Sequence, residues 1–346
     1  MRNSLFVLLA VLAAAAVYAA ARIVDNPYVF FAGYVVLQFV VLATAWNILG
    51  GYCGYVNFGS AAFFALGAYT TVAMVKFPAL AAKYLPEPLI AVTNLIFPLP
   101  IPVLILFGGV IAGLVGLGTG YLTLRLRGVY FSIATLALAV VLQTLVVNWD
   151  YVGGSRGAYV VRPATTPFFG IDYMEYLFLM MLALSVATLA AARSIERSRL
   201  GFGFAAIRDD ELAAESCGVP TLRLKLVATA LSGAFMGMAG APFPYYIGFL
   251  EPSSAFGLAY AVNSIAMPMI GGTTSWIGPL IGAVLLGTLQ QLATVTIWSE
   301  LSLLIVGLLL IGFVIVAPNG IVGLLETLLG RKRTEPARAA DAEGKA

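Results

Sequence analysis

Uninterrupted apolar stretches about 20 residues long recur along this chain, and they restrict what it can fold into more than any other feature. They run roughly over 3–22, 29–49, 57–76, 101–123, 128–148, 173–192, 226–247, 256–272, 277–297 and 301–318, separated by charges or by Pro/Gly breaks. In hydrocarbon every backbone amide needs an internal partner, which leaves helices or a closed barrel. Barrel strands alternate polar and apolar residues, whereas these stretches are apolar on all sides. Charged residues make up 10% of the chain, against about 25% in soluble domains, so no water-compatible surface could cover the apolar mass. The expectation is an all-α membrane protein of about ten transmembrane helices in a lipid bilayer.

Two connections on one side, 77–100 and 149–172, are rich in proline, glycine and aromatics, and a third, 193–225, lies on the other. Lys and Arg accumulate in cytoplasmic loops. With the N-terminus inside, 14 of the 19 Lys and Arg fall on inner segments, leaving only Arg22, Lys76, Lys83, Arg156 and Arg162 outside. The expected topology is N-in and C-in, with residues 1–325 forming one transmembrane domain and 326–346 a polar, disordered cytoplasmic tail. Residues 1–22 carry Arg2 and small residues at 19–21, which would also suit a signal peptide. The membrane commitment of the remaining chain favours a first helix. Pro268 inside the short eighth stretch predicts a kink or break there. A faint internal repeat relates Gly54–Gly59 to Gly272–Gly278, each preceding a small-residue helix.

No Asp, Glu, Lys or Arg stands near the middle of any expected span, and there is no histidine. Ionisable groups at membrane depth mark proton relays and ion paths, so proton coupling is disfavoured, while a sodium site made of carbonyls and hydroxyls stays open. There is no His-based metal site or general base, and no G-x-x-x-x-G-K-[ST] phosphate loop. The chain reads as no enzyme and no cofactor binder, with no nucleic-acid partner; energy for active transport would come from another subunit. Cys53 and Cys217 both fall in segments placed in the cytoplasm, where a disulfide is not expected.

Residues 208–218 (RDDELAAESCG) read as a short cytoplasmic helix. Asp209, Asp210 and Glu211 suit its positive N-terminal end, while Gly218 and Pro220 terminate it. An interfacial helix would carry bulky apolar anchors and a basic face. Small residues with fixed charges better suit docking in a protein groove.

Four stretches in order then resemble the permease subunits of the branched-chain amino acid ABC transporter family, across most of 30–325. They are 51–70 (GYCGYVNFGSAAFFALGAYT), 124–137 (LRLRGVYFSIATLA), 197–218 with RSRLG and AIRDDE, and 271–283 (GGTTSWIGPLIGA). The resemblance implies an ABC importer permease fold of that type, in the bacterial inner (plasma) membrane. It implies that Arg208, Asp209, Asp210, Glu211, Ala214, Glu215 and Gly218 form the coupling helix seated in an ATP-binding cassette subunit. It also implies a periplasmic solute-binding protein, a related second permease subunit completing a heterodimer, and amino acids, branched-chain ones by default, as solute. The chain departs from the family pattern at Leu138–Val141, which lacks the common acidic residue, at Thr274, where a glycine is common, and at Asn263 and Pro268 in an otherwise aliphatic helix.

Candidate pathway residues are the polar and aromatic groups beside the glycine-rich breaks: Asn57, Phe58, Ser60 and Tyr69; Tyr130, Thr135 and Gln143; Asn263 and Ser264. Each could instead bond across a helix interface or anchor at the water boundary. Gly59, Gly67, Gly113, Gly116, Gly120, Gly233, Gly237 and Gly240 have the spacing of close helix packing. Asp150, Asp172, Glu175 and Glu251, with the Pro86–Pro88 turn, are the expected outer docking charges. A passive channel or a sodium-coupled carrier working without an ATPase is the competing reading.

Overall fold

The computed structural model describes residues 3–24, 26–84, 86–123, 126, 128–163, 170–296, 307–308, 312 and 320–328. The first long elements are α1 (Asn3–Ile23), α2 (Pro27–Gly50), α3 (Ser60–Tyr84), α4 (Glu87–Ile96), α5 (Ile101–Thr123) and α6 (Val129–Val147). There follow α7 (Tyr173–Glu196), α8 (Arg199–Asp209), α9 (Glu211–Ser216), α10 (Thr221–Gly240), α11 (Phe243–Ile247), α12 (Pro252–Ala255), α13 (Leu258–Gly271) and α14 (Ile277–Thr296). A last described helix spans Gly320–Leu328. Eight of the described helical segments are long and apolar enough to cross a membrane, and the protein is an all-α multi-pass protein of the bacterial inner membrane. Most of the expected tenth span, 301–318, and the tail beyond Leu328 lie outside the described residues.

Small residues decide where the helices cross. α10 packs most extensively on α5 and then on α3 and α2, presenting Ala228, Thr229, Ser232, Gly233, Gly237 and Gly240 to its neighbours. A Cβ at Gly67 of α3 would overlap the carbonyl of Gly237, and one at Gly240 would overlap the carbonyl of Phe64. Gly108 of α5 closes the same crossing, since its Cβ would stand 3.0 Å from Ala241 Cβ and from the Gly237 carbonyl oxygen. Without a hydrophobic driving force between helices in lipid, such backbone proximity supplies the van der Waals attraction that holds the bundle. α2 then bridges to α7, α13 and α14.

Segment ends differ from the sequence expectation in two places. The eighth span breaks at Phe256–Gly257, between α12 and α13, and not at Pro268. Gly257 leaves the helix with ψ 130°, whereas Pro268 lies in the last turns of α13 and its carbonyl still accepts Gly272 N–H at 2.8 Å. α3 runs on to Tyr84 with Pro78 inside it, eight residues beyond the expected end.

The two ends of the bundle are distinct. At one end a two-residue antiparallel pair, β1 (Ala158–Tyr159) with β2 (Phe249–Leu250), ties connection 149–172 to the turn between α11 and α12, and Tyr151 Oη donates to the Ala73 carbonyl at 2.6 Å. Glu175, expected as an outer docking charge, is buried there: it accepts from Tyr18 Oη at 2.5 Å and pairs with Arg22 Nε at 2.8 Å, fastening α1 to α7. At the other end the Arg193 guanidinium stacks 4.0 Å from the Phe6 ring centroid and 5.4 Å from that of Trp276. Loops 51–59, 271–277 and helices α8–α9 gather at this second end. The start of α1 is there too, and so is Gly320, packed on Gly272.

Candidate functional site

The segment read as one coupling helix is two. Asp210 has extended backbone (φ −158°, ψ 109°), and its carboxylate accepts the N–H groups of Leu212 at 2.9 Å and Ala213 at 3.0 Å, capping α9. An aspartate competes with the helix for these donors and is favoured at this position. Asp209 therefore ends α8 and does not start a helix; it meets Arg208 at 3.3 Å on the surface. The far end of α9 closes as a Schellman motif: Gly218 N–H bonds to Glu215 O at 2.9 Å and Val219 N–H to Ala214 O at 3.0 Å. Gly218 has φ +83° with nothing within 4 Å of a Cβ, so backbone conformation alone requires the glycine.

The two carboxylates of α9 both find partners within the chain, Glu211 facing inward and Glu215 at the surface. Glu211 pairs with Lys225 Nζ of α10 at 2.7 Å and accepts from Tyr55 Oη, and Lys225 Nζ also reaches Tyr55 Oη at 3.2 Å. The Lys225 and Glu211 side chains are 3% and 14% exposed. Glu215 accepts from Thr221 Oγ1 at 2.7 Å. Ala214 is buried within the chain, while Leu212, Ala213, Glu215, Ser216 and Cys217 are exposed. Ala214 is therefore not on the surface that α9 leaves open.

Loop 51–59 sits under these helices. Arg208 stacks over Gly54, whose φ of +79° and contact with Arg208 Cγ leave no room for a side chain. Tyr52 Oη donates to Glu196 Oε2 at 3.3 Å, and the same oxygen accepts Trp276 N–H at 2.8 Å. Burial and the Glu196 carboxylate hold the Tyr52 phenol well above its usual range. Burial pushes the Cys53 thiol up to about 12. Loop 51–59 and segment 271–277 therefore lie side by side, joined from Tyr52 to Trp276 through Glu196. Ile48, Leu49, Tyr52, Cys53 and Phe131 form an apolar core there with Phe204 and Ile207 of α8.

The pathway candidates divide. Asn57 Oδ1 accepts Gly59 N–H at 2.7 Å, and its carbonyl accepts Trp46 Nε1 at 2.9 Å, so this residue shapes the turn into α3. Thr135 Oγ1 accepts Phe58 N–H at 3.1 Å. Ser60 and Ser264 bond to each other at 2.8 Å, and Asn263 accepts from Gln290 at 2.9 Å, both across helix contacts. Tyr130 is 73% exposed on the first turn of α6. Phe58 and Gln143 come together in a recess of about 320 Å³, with Ala61, Leu136, Val140, Ser253, Phe256 and Leu258 on its wall. Tyr69 lies behind Phe256, their ring centroids 6.3 Å apart, with its buried hydroxyl unpartnered among the described residues. A neighbouring crevice beside Asn57 and Thr135 holds only about 10 Å³, the limit for a single water. Ser253 and Phe256, which follow the turn at Glu251, were missed because they lie more than 190 positions from Phe58 in the chain.

A bundle of apolar helices carries a capped helical pair on one end and a recess between its spans lined by no charged side chain, an architecture that fits a membrane transport permease. The chain belongs to the family described as branched-chain amino acid transport system / permease component, which it matches over residues 28–314. It is 28% identical to the high-affinity branched-chain amino acid transport system permease protein LivM of Escherichia coli, over 85% of this chain and 70% of that protein. It is 24% identical to the probable branched-chain amino acid transport permease protein LivH of Methanocaldococcus jannaschii, over 65% and 74%. Against the autoinducer 2 import system permease protein LsrC of Yersinia enterocolitica the identity is 24%, over 58% and 57%. No solved structure matches it.

Proposed function

We propose that this chain is the membrane-spanning subunit of an ATP-driven, binding-protein-dependent importer of amino acids, with branched-chain amino acids as the solute. The observation that carries the reading is α9: six residues, capped by Asp210, closed at Gly218, held from inside by Glu211 and tied at its surface to Thr221 through Glu215. A helix so fixed, presenting a small exposed face of Leu212, Ala213, Glu215, Ser216 and Cys217, is built to receive force from a partner. That partner is an ATP-binding cassette subunit on the cytoplasmic side, to which the Lys and Arg distribution assigns this end. The opposite end, tied by the β1–β2 pair, receives the periplasmic solute-binding protein.

Gln143 supports a second permease subunit. It lies half-buried near the end of α6, the least buried of the long spans, and a polar side chain at a span's open face is better satisfied against another helix than against lipid. With a related permease against α6, the recess becomes one wall of a pathway. Its apolar lining, without a charged side chain, suits a solute with an aliphatic side chain. The relatives named for autoinducer 2 import share a smaller part of the chain.

Co-purification in mild detergent tests the assignment. The ATPase subunits are expected to accompany the chain and to protect Cys217 from a maleimide that labels it in the isolated permease. Emergence of the chain alone under every nucleotide condition, together with solute flux in its absence of partners, would establish the channel or sodium-carrier reading instead.

A further inference from the structure

We infer that Lys225 and Tyr55 are positioning residues that, with Glu211, carry the movement of α9 to the wall of the recess; the inference rests on the importer reading above. Glu211 lies in the first turn of α9, Lys225 in the first turns of α10 and Tyr55 in loop 51–59, so three elements meet at one buried polar contact. Hydrophobic residues of similar volume would hold these elements together at least as well, because burying charges costs solvation energy. A charged contact adds direction and register: it breaks if α9 and the loop move separately.

The loop is in turn fastened to α6. Tyr55 meets Phe131 edge-on at 5.1 Å between centroids, Ser132 Oγ donates to the Val56 carbonyl at 2.9 Å, and Thr135 receives Phe58 N–H. Phe58 is itself part of the recess wall. A continuous set of contacts therefore runs from α9 through Tyr55 to Phe58 and α6. A displacement of α9 by a docked ATPase draws the loop with it and shifts Phe58 against α6, and this alters the recess. Packing of α8 on the apolar core beneath supports α8 but does not include α9, which is why the polar contact is assigned the transmission.

Physical continuity becomes coupling only when both ends are shown to respond together. The measurement is the labelling rate of a single cysteine, Val140→Cys, in a Cys53→Ala, Cys217→Ser background, in the complex with its ATPase subunits. Rates are taken with and without a non-hydrolysable ATP analogue. The parent is expected to change rate at least several-fold with nucleotide. Tyr55→Phe keeps the ring against Phe131 and the Lys225–Glu211 pair, yet it should bring the ratio close to one while the ATPase still co-purifies. Glu211→Gln should do the same, and adding Tyr55→Phe to it should cause no further loss. The exchange Glu211→Lys with Lys225→Glu should restore part of the response lost in either single change. A Tyr55→Phe complex with the parent's full nucleotide response overturns the inference and leaves the importer reading standing. A parent that never binds an ATPase subunit overturns both.

Discussion

The two cysteines show how far local surroundings separate residues of one type. Cys53 is fully buried in loop 51–59 and Cys217 is exposed at the end of α9. Burial raises the Cys53 thiol first; Lys225 nearby draws it down and Glu211 pushes it up, leaving it at about 12. A raised thiol value keeps the neutral, unreactive form through neutral and mildly alkaline pH, because the thiolate is the nucleophile. Folded protein at pH 8 is therefore expected to take one maleimide per chain, at Cys217, with Cys53 reacting only after denaturation. Mass spectrometry of labelled peptides checks this, and equal labelling of the two would contradict the buried loop. Charged residues are where sequence reading went furthest astray. Glu211 read as a charge suited to a helix N-terminus and Glu175 as an outer docking charge, yet both pair inside the chain with partners 14 and 153 positions away. No periodicity links such partners, so only the fold could reveal them.

At the scale of the element, helix ends were more legible than helix surfaces. Gly218 followed by Pro220 marks a stop that needs no tertiary contact to be read, and the closing motif is where the sequence puts it. The start was misplaced because Asp209, Asp210 and Glu211 are equivalent as charges near a dipole, while capping depends on one side chain reaching two N–H groups. Asp210→Ala should cost α9 about 1 kcal/mol, seen as faster proteolysis within 209–219 at unchanged membrane insertion; an unchanged cleavage rate would argue against the cap. The face of α9 gives a sharper contrast. Ala214→Trp is expected to dislodge α9 from its own protein and to raise the same cleavage, whereas Ala213→Trp should leave cleavage unchanged and weaken ATPase co-purification. Weakened co-purification with Ala214→Trp and none with Ala213→Trp, at equal cleavage, would reverse the assigned faces. The break at Phe256–Gly257 follows the same logic. Pro268 looked like the interruption, yet a proline near a helix end frees few bonds, and Gly257 released the chain about three turns earlier.

At the scale of the molecule, apolar length alone gave the order of the second to ninth expected spans, the eight that the described residues show, because in lipid the backbone has so few alternatives. Which helices touch did not follow, since glycine is frequent in membrane helices for more than one reason. The spacing of Gly67, Gly237 and Gly240 suggested close packing, but Gly108, which completes that crossing, was indistinguishable from Gly118 ten residues further along α5. The structure separates them. At Gly118 an added Cβ meets nothing within 4 Å, while at Gly237 it would overlap Ala112 Cβ and approach the Gly108 carbonyl to 2.5 Å. That overlap involves backbone and a side chain too short to move aside, so relief requires α5 and α10 to separate. Separation would remove the van der Waals contact along the most extensive helix pair in the bundle, and lipid offers no hydrophobic penalty to oppose it. Gly237→Leu is therefore expected to yield protein that inserts but elutes as aggregate and shows no cooperative melting in detergent. Gly118→Leu should melt at or slightly above the parent temperature, because an exposed helix interior gains up to about 1 kcal/mol when glycine is replaced by a better helix former. Fluorescence-detected size exclusion and a thermal ramp on both variants decide the matter. Equal behaviour of the two would mean that the α3–α5–α10 crossing does not organise the bundle.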